Sequence, residues 1–159
     1  NKKVLDIGSG SGIQAETAIK HGALSVLAGD IYPDVIENLK KKGFNSIRSN
    51  LFTKIKGKFD LIIFNPPYLP EDIKEDYKSK KSTTGGSRGD EIIIKFLNKL
   101  TKHIHNKSII LLVLSSLTPK HSILKTLKKN NLKKTIIAKQ KFFFERIEVW
   151  LIKQNFITS

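Results

Sequence analysis

Cysteine is absent from this sequence of 159 residues. That single absence excludes disulfides, thiolate metal sites and a cysteine nucleophile together. Also missing is any run of about 18 apolar residues, so no segment reads as a membrane span. No secretory signal is visible, because the first residues run straight into a strand pattern. The expectation is a cytoplasmic protein without a membrane partner. Acidic residues are scarce: 14 Asp and Glu stand against 29 Lys and Arg, a formal net charge of +15. Such a surplus creates a positive field able to attract nucleic acid, RNA or a ribosomal neighbourhood. The plainer account is a lysine-rich solvated surface, since the lysines are spread over Lys40 to Lys42, Lys54 to Lys58, Lys78 to Lys81 and Lys125 to Lys134. No arginine stripe interleaved with aromatics appears, which speaks against an RNA-reading face of the stacking kind. Histidines number four. His103 and His105 would point to different sides of a helix and make no metal site by spacing. With no repeat or linker in view, residues 1–159 are expected to form one domain.

What is present centres on Asn65-Pro66-Pro67-Tyr68. The preceding run, Phe59 to Phe64, is short, bounded and rich in aromatic and β-branched residues, and reads as a buried strand. Two prolines forbid its continuation and bias Asn65 toward extended backbone, so its side chain is presented at the carboxyl end of the strand. Open α/β sheets bind ligands at that end. The Asn65 amide oxygen and the Pro66 carbonyl would form a pair of acceptors suited to a planar –NH2 group. Such a nitrogen is a poor nucleophile, and holding both its N–H bonds orients it and favours the charge that develops on it. Tyr68 would supply a flat wall. The alternative is an ordinary Pro-Pro loop.

Taken in order, the chain begins with a strand at Val4–Ile7, a loop Gly8-Ser9-Gly10-Ser11-Gly12 and a helix over 13–20. The loop spacing is G-x-G-x-G, not the G-x-G-x-x-G of dinucleotide sites. Residues 25–30 read as a second strand ending in Asp30, a carboxylate able to accept both ribose hydroxyls of an adenosine, or else to cap the helix that Pro33 opens. That helix should end at Gly43. A third strand over 44–49 leads to Asn50-Leu51-Phe52, where a polar residue could meet an adenine amino group, with Phe52 as packing. Residues 69–89 form a long, turn-rich loop, read as a lid. Its carboxylates Glu71, Asp72, Glu75 and Asp76 read as solvated charge. Asp90 should cap a helix from Glu91 to about His103 with Ile93, Phe96, Leu97 and Leu100 on one face. A fully buried strand over 108–114, a helix over 121–130 and a hairpin of strands 134–140 and 147–152 complete the pattern. The fold class is therefore α/β, a doubly wound, mostly parallel seven-stranded sheet with a reversed last strand.

Val4 to Gly12, Asp30, Asn50 to Phe52, Asn65 to Tyr68 and Phe142-Phe143-Phe144-Glu145-Arg146 together resemble the class I S-adenosylmethionine-dependent methyltransferases. Within these the chain looks most like the HemK-related glutamine methyltransferases of the archaeal and eukaryotic kind, an assignment helped by Gly85 to Glu91 and the lack of an extra recognition domain. The resemblance implies S-adenosyl-L-methionine as cofactor and the glutamine of a Gly-Gly-Gln loop in a class 1 translation release factor as acceptor. It places Asp6, Gly8 and Gly10 at the methionine end of the cofactor, Asp30 and the adjoining Ile31 at the ribose, Asn50 with Leu51 at the adenine, and Asn65, also a cofactor contact, with Pro66 and Tyr68 at the glutamine amide. It further implies a small zinc-binding activator subunit along the sheet edge, where the third strand should lie. Relatives usually carry Asp at the position of Asn50, and they have a segment ahead of the first strand that this sequence is expected to lack. An RNA or DNA amino-group methyltransferase and a non-catalytic interaction module with the cofactor fold are the other readings.

Overall fold

The computed structural model describes residues 1–67 and 89–155. Seven strands are ordered β3-β2-β1-β4-β5-β7-β6, where β1 is Lys3–Ile7, β2 Ser25–Asp30, β3 Ser46–Arg48, β4 Leu61–Phe64, β5 Ile109–Ser115, β6 Leu132–Lys141 and β7 Arg146–Gln154. The helices are α1 (Ile13–Lys20), α2 (Pro33–Lys41), α3 (Glu91–Leu100, continued as a 3-10 turn Thr101–His103) and α4 (His121–Lys129). Strands β1, β2, β3 and β4 pair in parallel, and β7 runs antiparallel to β6. The third strand is an edge, as expected. Among the described residues no helix is long and apolar enough to cross a membrane.

The chain divides into two compact units, Asn1–Asn65 with Leu100–Leu111, and Pro66–Lys99 with Leu112–Ser159. In the first, Val4, Ala15, Val26, Ala28, Ile36 and Leu39 form one buried cluster, each large member contributing about 1.5–3 kcal/mol over an exposed position. Helix α2 ends where glycine allows it. Gly43, at φ +83, donates its N–H to the Lys40 carbonyl (2.9 Å), and the next N–H, from Phe44, reaches the Leu39 carbonyl (3.0 Å), the paired bonds of a Schellman stop. That use of Phe44 is why β3 is shorter than the expected 44–49. Likewise β4 starts at Leu61: the Phe59 N–H is taken outside the sheet by the His103 carbonyl (3.0 Å), and Asp60 leads in with its own N–H on the Lys3 carbonyl (2.9 Å).

In the second unit Ile93, Phe96 and Leu97 are fully buried on one face of α3, the spacing of an amphipathic helix. The Asp90 carbonyl accepts the Ile94 N–H (3.0 Å), the first bond of that helix. Strand β5 is interior but not fully buried: Ile109, Leu111 and Val113 are half-buried and alternate with buried neighbours. The β6–β7 hairpin is longer than its sequence pattern, pairing Leu132↔Gln154 through Lys141↔Arg146, with an irregularity between Ile136 and Ala138. The extra residue, Ile137, is half exposed, as a bulge on an edge strand permits. The expected lid lies, up to residue 88, outside the described residues. His105 follows the 3-10 turn and is not helical as expected; its Nε2 lies 3.1 Å from Asp60 Oδ1.

Candidate active site

Parallel pairing sets Ile7 beside Gly29 and Phe64, so Gly8, Asp30 and Asn65 follow at one rim. The turn leaving β1 is fastened to the end of β2 by one oxygen. The Gly29 carbonyl accepts the N–H groups of Gly8 (2.8 Å) and Ser9 (3.1 Å), while Ser9 Oγ donates to the Asp6 carbonyl (2.9 Å). Asp30, buried at 6% exposure, holds the loop from the other side. Its Oδ2 accepts the Gly10 N–H (3.0 Å) and its Oδ1 the Tyr32 N–H (3.0 Å). Asp30 therefore ties the glycine loop to the turn into α2, and Tyr32, not Asp30, occupies the N-cap position. Each of its oxygens keeps a further lone pair.

The three loop glycines are needed for different reasons. At Gly12 a Cβ would stand 2.8 Å from Leu39 Cδ2 and 3.1 Å from Phe44 Cε2, so its bareness lets α1 start against α2. At Gly8 the nearest atoms would be Phe64 Cε2 at 3.8 Å and the Asn65 carbonyl at 4.0 Å, and at Gly10 the Gly8 carbonyl at 4.0 Å. A Cβ at either would therefore meet only ordinary contacts, and it is the positive φ of Gly8 (+68) and Gly10 (+51) that calls for glycine.

Asp6 is the anomaly. It is buried at 1% exposure, and its Oδ2 has no hydrogen-bond partner. Burial pushes its carboxyl up to about 7, and the Asp30 charge acts the same way, against hydrogen bonding from Ser9 and the Ala15 amide. A buried acceptor lacking a donor, at the foot of a glycine loop, is matched by a cationic or N–H-bearing ligand group. The acceptors at Asp6 and Asp30 thus suit the ammonium and the ribose hydroxyls of S-adenosyl-L-methionine.

Asn65 is exposed and Pro66 buried; Tyr68 lies outside the described residues. Ile31 is 43% exposed, and its carbonyl accepts Arg48 Nε–H (3.1 Å). Asn50 is exposed in a turn closed by the Thr53 N–H on its carbonyl (3.2 Å). Leu51 is buried with φ +51, and its carbonyl accepts Ser49 Oγ–H (2.8 Å). Phe52 is also buried, stacked on His103 with centroids 4.5 Å apart, so its ring is committed to packing. The sequence reading missed Ser9 and Gly29. A small hydroxyl between two glycines, and a glycine directly before the strand-end acid, were the available signals.

The family model of the Eco57I restriction-modification methylase matches residues 14–150. At 36% identity over 157 residues, 94% of this chain and 80% of the relative, the chain is similar to the "Putative protein N5-glutamine methyltransferase MJ0928" of Methanocaldococcus jannaschii. It is 32% identical over 124 residues to a "Release factor glutamine methyltransferase" of Aquifex aeolicus, covering 68% of this chain and 44% of that one. Among solved structures, the E. cuniculi Mtq2-Trm112 complex, described as responsible for methylation of the eRF1 translation termination factor, aligns with a TM-score of 0.78 at 22% identity, over 97% of this chain and 85% of the other. That likeness is one of fold.

Proposed function

The chain belongs to the protein N5-glutamine methyltransferase family, and from that membership we propose that it transfers a methyl group from S-adenosyl-L-methionine to the side-chain nitrogen of a glutamine in a class 1 translation release factor. The observation that carries this reading is the placement of Gly8, Asp30 and Asn65 at one rim of the parallel sheet, with the unpartnered Asp6 Oδ2 on the strand that leads into the glycine loop. Asp6 would meet the ammonium of the cofactor's methionine end, the backbone at Gly8 and Gly10 would line it, and Asp30 would accept the ribose hydroxyls. When bound, the cofactor supplies an electrophilic methyl group on sulfur. Asn65 Oδ1 and the Pro66 carbonyl would each accept one N–H of the glutamine amide, aim its nitrogen and stabilise the charge that grows there. Tyr68 would flank the amide plane. Along the edge strand β3 a small activator subunit, zinc-binding by the family resemblance, would complete the working enzyme.

A second reading, methylation of an exocyclic amine in RNA or DNA, is favoured by the restriction-modification methylase model and by the net charge of +15. Incubation with methyl-labelled cofactor and purified release factor, its Gly-Gly-Gln glutamine replaced in a parallel sample, decides between them. Label is expected in the intact release factor and absent from the replaced one. Label confined to total RNA or DNA would overturn the glutamine assignment.

A further inference from the structure

The turn joining β6 to β7 carries three consecutive phenylalanines left in water: Phe142 is 53% exposed, Phe143 93% and Phe144 85%. The rings of Phe143 and Phe144 meet edge to face, with centroids 4.7 Å apart and planes at 83°. The turn is held in place. Phe142 N–H donates to the Glu145 carbonyl (2.8 Å), Glu145 Oε2 accepts Ser115 Oγ–H (2.5 Å), and Arg146 exchanges hydrogen bonds with Ser116 (2.8 and 3.0 Å). Those last bonds bring Leu117, itself half exposed, to the base of the turn.

The strands that enter and leave the turn carry exposed cations, and the carboxylates beside them are occupied. Lys139, Lys141 and Arg146 are exposed on the two strands next to the turn. Glu145 is bound to Ser115. Glu148, buried at 2% exposure, accepts from Lys120 (2.9 Å), Arg146 (3.1 Å) and Trp150 Nε1 (2.9 Å). Arg146 uses Nε and Nη2 on Glu148 and is half exposed. A guanidinium carries five N–H donors, so a fork fixed in this way still has donors for a second anion. Lys139, Lys141 and Arg146 flank the phenylalanines in the sequence, and the hairpin sets Lys141 directly opposite Arg146.

We propose that this hairpin tip docks single-stranded nucleic acid, with a base stacked on the exposed phenyl rings and its flanking phosphates on Arg146, Lys139 and Lys141. Exposed aromatic faces beside a cationic track are the elements of a sequence-tolerant strand platform. A rim of cations whose neighbouring carboxylates are all engaged complements phosphate better than the mixed charges of a protein surface. The site is independent of the glutamine reading.

The test is fluorescence anisotropy of the full chain with a labelled oligouridine of about ten nucleotides, without cofactor or release factor, over a salt series. Phe143→Ala/Phe144→Ala removes no charge and alters exposed side chains, so the expected result is an unchanged melting temperature, a loss of roughly tenfold or more in affinity and an unchanged salt slope. Lys139→Gln/Lys141→Gln should flatten the salt slope by about one to two, and Lys20→Gln/Lys41→Gln, exposed lysines of helices α1 and α2 paired with Glu16 and Glu37, should change binding less. Wild-type affinity in the double phenylalanine variant would overturn the proposal. So would equal losses for the tip lysine pair and the helix lysine pair. A tip variant that binds RNA normally but methylates release factor poorly would reassign the surface to protein docking.

Discussion

Replacing Asp6 with asparagine separates the electrostatic cost of the site from its purpose. In the folded chain burial pushes the Asp6 carboxyl from 3.8 up to about 7, while in the unfolded chain it titrates near its ordinary value. Across that interval the folded state keeps a proton that the unfolded state has released. Stability from this group is therefore fully present below the lower value and is lost as pH rises through the upper one. The displacement corresponds to roughly 4 kcal/mol at the alkaline end. Asparagine keeps the shape, its amide oxygen can accept in place of the carboxylate from Ser9 and the Ala15 amide, and the Ser9 Oγ–H bond to the backbone carbonyl of residue 6 does not involve the side chain. Urea unfolding followed by circular dichroism should show Asp6→Asn and wild type alike at about pH 4, with the variant more stable by several kcal/mol at about pH 8. The same variant should lose most of the rise in melting temperature that the cofactor gives wild type. Equal pH dependence in the two proteins would refute the buried-charge argument. A full cofactor-induced rise in the variant would refute the placement of the ammonium.

Gly12→Ala should destabilise by about 2–4 kcal/mol, because a left-handed alanine costs about 1–2 kcal/mol and the close contact with Leu39 adds an overpacking cost. Gly43→Ala, at φ +83 with nothing within 4 Å, should cost about 1–2 kcal/mol, so equal denaturation midpoints for the two would disprove the contact. Asn65→Ala is expected to lower kcat by roughly 100-fold or more while leaving the cofactor-induced rise in melting temperature intact, as measured by label transfer to release factor. Glu148 is subject to burial, which raises its carboxyl, but hydrogen bonds from Trp150, Lys120 and Arg146 outweigh that and bring it down to about 2. Glu148→Gln should therefore cost about 1.5–3 kcal/mol at neutral pH, a deficit that shrinks as pH falls from 4.5 toward about 2 and that acid titration of both proteins would reveal.

The parallel half of the fold was legible because its signals are local. The apolar run at Val4–Ile7, the glycines that follow and the acid at Asp30 each specify backbone or position within a few residues. Helix α2 could be bounded from Pro33 and Gly43 alone. Strand β3 could not, since Phe44 looks like a strand residue and is diverted by bonds reaching back into α2. The rim of the site was readable as residue types, yet the specific work of Asp30 was not. Its two backbone bonds, to Gly10 and Tyr32, depend on a loop meeting a strand twenty residues away. Phe52 shows the same limit, because nothing near it in sequence announces His103 as its stacking partner. At Phe142 to Phe144 the sequence pattern gave the hairpin, but only the fold shows that the three rings stand exposed.

The Gly29 carbonyl joins two segments through a single atom, receiving the amides of Gly8 and Ser9 together. Those amides have no independent way to open, since freeing either requires the end of one strand to part from the next. In deuterated buffer they should exchange in step, and a nucleoside that grips Asp30 should slow both at once.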